Sequence, residues 1–250
     1  MVNEFQEKKL SRRSVTTIAA ALILAAGMGY GLSLVGNGLS AKAGNSITVT
    51  GSAKTSAVAD NAVWTLNVSE MSQQVSVAVK KIGTSVDSLS KYLIAGGLAS
   101  DAIEVGGVTT YANNEYINGN STGRVLSYQA NQNVVIRSKD VELVKKLSNG
   151  MGSLLQTGVN INNYGPMFYV SNLDKLRPQL LAEAMVDAKA RGVSITKAVG
   201  SKLGPVLAVT SGPVQVTQPD SVDTSAGGMY DTSSIPKSVS VTVSVSFKVN

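Results

Sequence analysis

The chain closes on a strict alternation. Between Val239 and Val249, the apolar residues Val239, Val241, Val243, Val245, Phe247 and Val249 are separated by Ser240, Thr242, Ser244, Ser246 and Lys248. Successive side chains of a β-strand point to opposite faces, so the segment predicts a strand with one buried face and one hydroxyl face. As the last element it belongs in an antiparallel sheet, beside the strand near 206–216 or the strand near 47–50. The other end of the chain has a different pattern. No charged residue occurs from Ser14 to Ala41, and the apolar stretch beginning at Val15 would span about 30 Å as a helix, enough for the hydrocarbon core of a bilayer.

These two ends frame the domain organisation. Residues 1–13 read as a basic cytoplasmic tail, 14–36 as a transmembrane anchor or signal segment, 37–45 as a linker and 46–250 as an extracytoplasmic domain. Lys8, Lys9, Arg12 and Arg13 just before the apolar run keep the N-terminus in the cytoplasm, by the tendency of cations to remain inside. The alternative is a cleaved signal peptide, with Ala41-Lys42-Ala43 as the small-residue cleavage site. A retained anchor is favoured because the apolar run is longer than a usual signal core. Both readings export the domain, either held at the cell membrane or released beyond it.

Within the exported part, Ile47–Ser56 reads as a strand broken at Gly51, and Val63–Val68 as a second strand. Val75, Val79, Ile82, Val86, Leu89 and Leu93 then fall at alternating spacings of four and three, one apolar stripe on a helix. Two β-rich runs, Ala102–Ile117 and Arg124–Arg137, flank a Gly- and Asn-containing hairpin loop. A second helix starts at Asp140, with Val141, Val144, Leu147, Met151 and Leu154 at helical spacing, and a strand interrupted at Gly165-Pro166 follows. The order is strand, helix, strand, strand, helix, strand. The predicted class is therefore α+β: a ferredoxin-like split βαβ core, an added long Ala-rich helix capped by Asp174, and antiparallel C-terminal strands. The polar loop from Pro219 to Pro236 is expected to be mobile.

Composition narrows the chemistry. The 250 residues include no Cys and no His, which removes thiolate catalysis, disulfides, His-ligated metals and Ser-His-Asp triads. No metal or cofactor is expected. The net charge of +6 does not indicate nucleic acid, since half of it lies in the first 43 residues and the rest is scattered without basic runs. Asp101 with Glu104, Asp140 with Glu142 and Asp220 with Asp223 are the closely spaced acid pairs. The first reads as solvated charge at a helix-to-strand turn, the second as helix N-terminal residues. The glycines match neither phosphate-cradling spacing. Tyr111, Tyr116, Tyr128, Tyr164 and Tyr169 gather in the β-rich middle, where aromatics either anchor interfaces or pack on neighbouring strands. Tyr111, Tyr116 and Tyr128, together with Thr242 and Ser244 on the hydroxyl face, are the candidate interface residues, because an uncharged strand at a sheet edge suits contact with another subunit.

Several short motifs come in a recognisable order. Ile47-Thr48-Val49-Thr50-Gly51 follows the export segment, and Tyr128-Gln129-Ala130 leads into the run ending at Asp140. Ala184 and Asp187-Ala188-Lys189-Ala190 lie in the long helix, and Lys202-Leu203-Gly204-Pro205-Val206 comes after it. In this order the chain resembles the SIMPL-domain family of bacterial periplasmic and envelope proteins over most of residues 46–250. The pattern departs from the family at Arg191-Gly192-Val193, a point at which the helix is expected to weaken. The resemblance implies a non-enzymatic, exported α+β domain that self-assembles or binds envelope partners, linked to envelope stress, with no catalytic residues to transfer. The alternative is a small-ligand binder or a carboxylate-dependent hydrolase of the cell envelope.

Overall fold

A computed structural model describes residues 45–250; the expected anchor and basic tail lie outside the described residues. Among the described residues, no helix is long and apolar enough to cross a membrane. The architecture is α+β, with two antiparallel sheets. Strands β1 (Ser46–Val58) and β2 (Asn61–Ser72) lead into helix α1 (Val75–Ala95), then β3 (Ile103–Ile117), β4 (Asn120–Ser138), α2 (Val141–Gly150) and the single turn α3 (Gly152–Leu155). The short strands β5 (Ile161–Asn163) and β6 (Met167–Tyr169) precede α4 (Leu173–Ala198), β7 (Leu203–Ser211), β8 (Gln215–Thr217) and β9 (Pro236–Val249). From β2 to β5 this is the strand-helix-strand-strand-helix-strand order expected from the periodicities.

The described chain divides into two compact units. The larger, Thr50–Arg191 with Val209–Val245, contains the five-stranded sheet in the order β3-β4-β2-β5, with β6 also paired to β2. One face of this sheet is covered by α1 and α2, and the core formed there includes Trp64, Leu66, Val68, Val134 and Ile136 with Ile82, Leu89 and Leu93 of α1. Removing each large side chain from water contributes about 1.5–3 kcal/mol. The helical stripe is shorter than predicted: Val75 and Val79 remain exposed, while Ala78 and Ser85 are buried. All five predicted positions of the second helix are buried, and Asp140 Oδ1 accepts the Leu143 N–H at 2.9 Å as its cap. Trp64, fully buried, donates its indole N–H to Asn163 Oδ1 at 2.9 Å.

The smaller unit contains residues 45–49, Gly192–Ala208 and Ser246–Asn250. Lys202 and Asn250 exchange backbone hydrogen bonds of 3.0 Å there, and the hydroxyls of Thr48 and Ser246 lie 2.8 Å apart. A Cβ on Gly192 would lie 3.0 Å from the Leu203 side chain, a tight contact that the leucine methyls would have to ease by a few tenths of an ångström.

Several local expectations change. Strand β1 runs through Gly51 unbroken, and the glycine is required by a close approach described below. Helix α4 continues through Arg191-Gly192-Val193 to Ala198. It starts at Leu173, which places Asp174 inside the first turn, and Asn172 supplies the carbonyl that accepts the Lys175 and Leu176 amides. The hairpin loop is tighter than expected: Asn118 and Gly119, both at positive φ, make a two-residue turn, and β4 begins directly at Asn120. Strand β9 is not at an edge. It is central in the order β1-β9-β7, with β8 also paired to it, so both expected partners are used at once.

Candidate functional site

Strands β3 and β4 pair along their lengths, but β2 accompanies β4 only as far as the Ser72 and Tyr128 pair. Beyond that point, from the Asn113 and Ser127 pair to the turn at Asn118-Gly119, the hairpin continues as a bare two-stranded arm. A two-stranded ribbon is marginal in water unless something covers it. Tyr116, Ile117, Val125 and Leu126 are all exposed along it. Its charged residues are Glu115 and Arg124, 3.5 Å apart, and with the arginine 72% exposed this pair adds little stability.

The predicted interface residues fall in three places. Tyr116 is on the arm, and Tyr128 is half-buried at its base, opposite Ala112 and Ser72. Tyr111 lies exposed across from Gln129 on the uncovered sheet face. Thr242 and Ser244 sit on the outward face of β9, whose backbone is paired on both sides, so that strand offers no free edge to a second chain. The free edges of this sheet are β1 and β7. Strand β7 has no charged residue, and Val206, Leu207 and Val209 are exposed along it. At β1, helix α4 occupies part of the edge: Asp187 Oδ2 accepts the Ser52 N–H at 2.8 Å and Arg191 Nε grips the same carboxylate at 2.9 Å. The Ser52 amide and then Arg191 hold this carboxyl below its ordinary range. The Asp187-Ala188 motif of the long helix is therefore a docking device.

The acid pairs remain apart from one another. Asp101 lies in a 3-10 turn and Glu104 in β3, both exposed. Asp220 and Asp223 line a cavity of about 470 Å³ together with Thr217, Met229 and Asp231. Neither Asp101 nor Glu104 lines it. Asp231 is engaged elsewhere. Burial pushes its carboxyl up, but the Lys237 ammonium at 2.8 Å and donors from Ser233 and Ser234 outweigh this and hold it far below the carboxylate range. That direction is opposite to what a general acid near neutral pH needs. Ser234 Oγ lies 3.5 Å from Lys237 Nζ, yet this ammonium is bound to Asp231 and has no free lone pair to act as a base. Among the described residues, no group of three or more Asp or Glu side chains could hold a metal ion.

This buried ion pair is what the sequence reading missed. Lys237 is 1% exposed, so its ammonium is inside the fold and not on its surface. The signal was its parity, two residues before Val239, which puts it on the valine face. The polar loop before it is also pinned: Asp231 donates its N–H to the Val216 carbonyl at 2.8 Å, and Ala59 donates to that of Ile235 at 2.9 Å.

No curated protein matches this chain in sequence. The family described as SIMPL, protein of unknown function (DUF541), matches residues 47–248, from the start of β1 to the end of β9. The matched span includes Gly51 of β1, the Asp187 docking contact and the closing strand, and the chain belongs to the SIMPL family.

Proposed function

We propose that this chain is a non-enzymatic envelope protein, anchored in the cell membrane by residues 14–36, whose exported domain self-assembles and serves the envelope under stress. The observation that carries this reading is the arm at Asn113–Ser127, apolar and exposed on a two-stranded ribbon that no third strand or helix among the described residues covers. The uncharged β7 edge supports it, because unpaired strand edges without charge are templates for another chain. A second copy that covers the arm removes apolar side chains from water and completes a marginal ribbon.

Light scattering on the detergent-extracted full chain tests this. The protein mass should be a multiple of 25.9 kDa, and Ile117→Lys with Leu126→Lys should shift the assembly toward monomer by at least about tenfold in dissociation constant. Both side chains are exposed, so the monomer should keep its melting temperature. A wild type that is already monomeric overturns the reading. Location is tested separately: protease added to intact spheroplasts should digest the domain after Ala43, and full protection would place it inside.

A further inference from the structure

The face of the five-stranded sheet opposite α1 and α2 is rich in side-chain amides and poor in charge. By register, Asn162, Asn67 and Asn133 stand side by side on β5, β2 and β4. The next rows are Ser69, Asn131 and Thr109, then Met71, Gln129 and Tyr111, on β2, β4 and β3. These side chains share one face because residues paired directly across strands, and those two apart along them, point the same way. The charged residues of this face, Glu104 and Arg137, lie in rows beyond the amides.

The amides form a partly spent network. Asn67 Nδ2 donates to Asn133 Oδ1 at 2.8 Å, and Gln129 Nε2 donates to Ser69 Oγ at 2.9 Å and to Asn131 Oδ1 at 3.1 Å. Asn131 and Asn133 thus use their carbonyls within the network, and each keeps both amide N–H donors for an incoming group. The network also fixes which way each amide faces, so binding costs little further ordering.

The same face contains a trough of about 340 Å³ between Asn67 and Tyr111, at the lower end of small-ligand site volumes. It exists because β3 bulges between Val105 and Val108, where Gly106 and Gly107 bring no side chain. Gln132 Nε2 donates to the Gly106 carbonyl at 2.8 Å and holds the bulge in place. A Cβ on Gly107 would meet nothing within 4 Å, so the trough is open there. Tyr111, 59% exposed, stands at its side.

We infer that this trough binds a neutral oligosaccharide. Among the described residues no charged side chain lines it, which disfavours phosphates, nucleic acids and acidic sugars. The amide floor disfavours lipids. An extended peptide would satisfy its backbone at a strand edge rather than across a sheet face. A pyranose offers hydroxyls that both donate and accept, as carboxamides do, and an apolar C–H face that lies flat on a tyrosine ring. The site belongs to one chain, so it goes beyond the self-assembly reading: a monomer that binds sugar preserves this inference and overturns that one.

The test uses the full chain in a detergent without a sugar headgroup, titrated calorimetrically with N-acetylchitotriose, maltotriose and mannotriose, and with trigalacturonate as the anionic comparator. At least one neutral trisaccharide should saturate the protein with a dissociation constant of about 1 mM or tighter, and trigalacturonate should bind at least tenfold more weakly. Asn131→Asp and Tyr111→Ala should each weaken the neutral sugar by about tenfold while the melting temperature holds, because neither side chain is in the packed core. Absence of saturation by all three neutral sugars, preference for trigalacturonate, or unchanged binding in both variants would overturn the inference.

Discussion

Gly51→Ala lowers the melting temperature of the domain by roughly 6–12 °C, and Gly51→Val leaves little folded protein at growth temperature. A Cβ at this position would lie 2.1 Å from the Ala184 carbonyl oxygen, 2.5 Å from the Ala188 amide nitrogen and 2.7 Å from the Ala188 Cβ. The first two are helix backbone atoms, so no change of rotamer can relieve the overlap and α4 must move off β1. Overpacking of this kind costs about 3 kcal/mol, the upper part of its usual range. Shift of α4 also draws Asp187 away from the Ser52 amide, so the strand loses a hydrogen bond as well as a contact. Ala188→Gly should not rescue Gly51→Ala, because the Ala184 carbonyl remains in the way. Circular dichroism melts of the three variants decide the matter. A Gly51→Ala protein that melts within about 2 °C of wild type would mean that α4 is not seated on this glycine.

The second large effect lies in the same sheet, at the start of β9. Lys237→Met should cost about 3–5 kcal/mol, because Asp231 would remain in a mostly enclosed site without its cation. Replacing both, as Lys237→Met with Asp231→Asn, should recover part of that loss, since the uncompensated charge is then gone. A pH dependence accompanies this. Burial raises the Asp231 carboxyl, but Lys237, Ser233 and Ser234 prevail, so its folded value lies below the unfolded one. The stabilisation is therefore complete above the unfolded carboxylate value of about 3.9 and is lost as pH falls below it. Wild-type stability, measured by denaturant unfolding between about pH 5 and 3, should fall more steeply than that of Asp231→Asn. Equal slopes, or a Lys237→Met protein as stable as wild type, would remove the pair from the stability of the fold.

Both predictions concern residues whose roles depend on distant parts of the chain. A glycine within a strand pattern reads locally as a break. At Gly51 the reason is instead a helix more than 130 residues later, whose Ala184 and Ala188 bring its backbone against the strand. A lysine next to an alternating strip reads as solvated charge. At Lys237 the pairing of the strip carries it inside, and Asp231, in a loop with no periodic pattern, meets it there. The amide trough has the same origin: Asn67, Asn131, Asn133 and Tyr111 come from three strands and gather only through register and one bulge.

Local pattern determined a good deal by itself. The strict alternation of β9, the Ile82, Val86, Leu89 and Leu93 part of the α1 stripe, the five buried positions after Asp140 and the interruption at Gly165-Pro166 all appear where periodicity and turn chemistry place them. The order of elements from β2 to β5 follows from them, since side-chain period and turn residues act over a few neighbours and need no knowledge of the fold. The absence of His and Cys limited the chemistry in the same direct way. Tertiary structure alone decided that β9 lies between β1 and β7, so Thr242 and Ser244 have no free edge beside them, and that the β3–β4 hairpin outruns β2 to leave an arm uncovered. The physical reason is that alternation specifies which face of a strand is buried, whereas its neighbours are set by backbone hydrogen bonds that carry no side-chain signature.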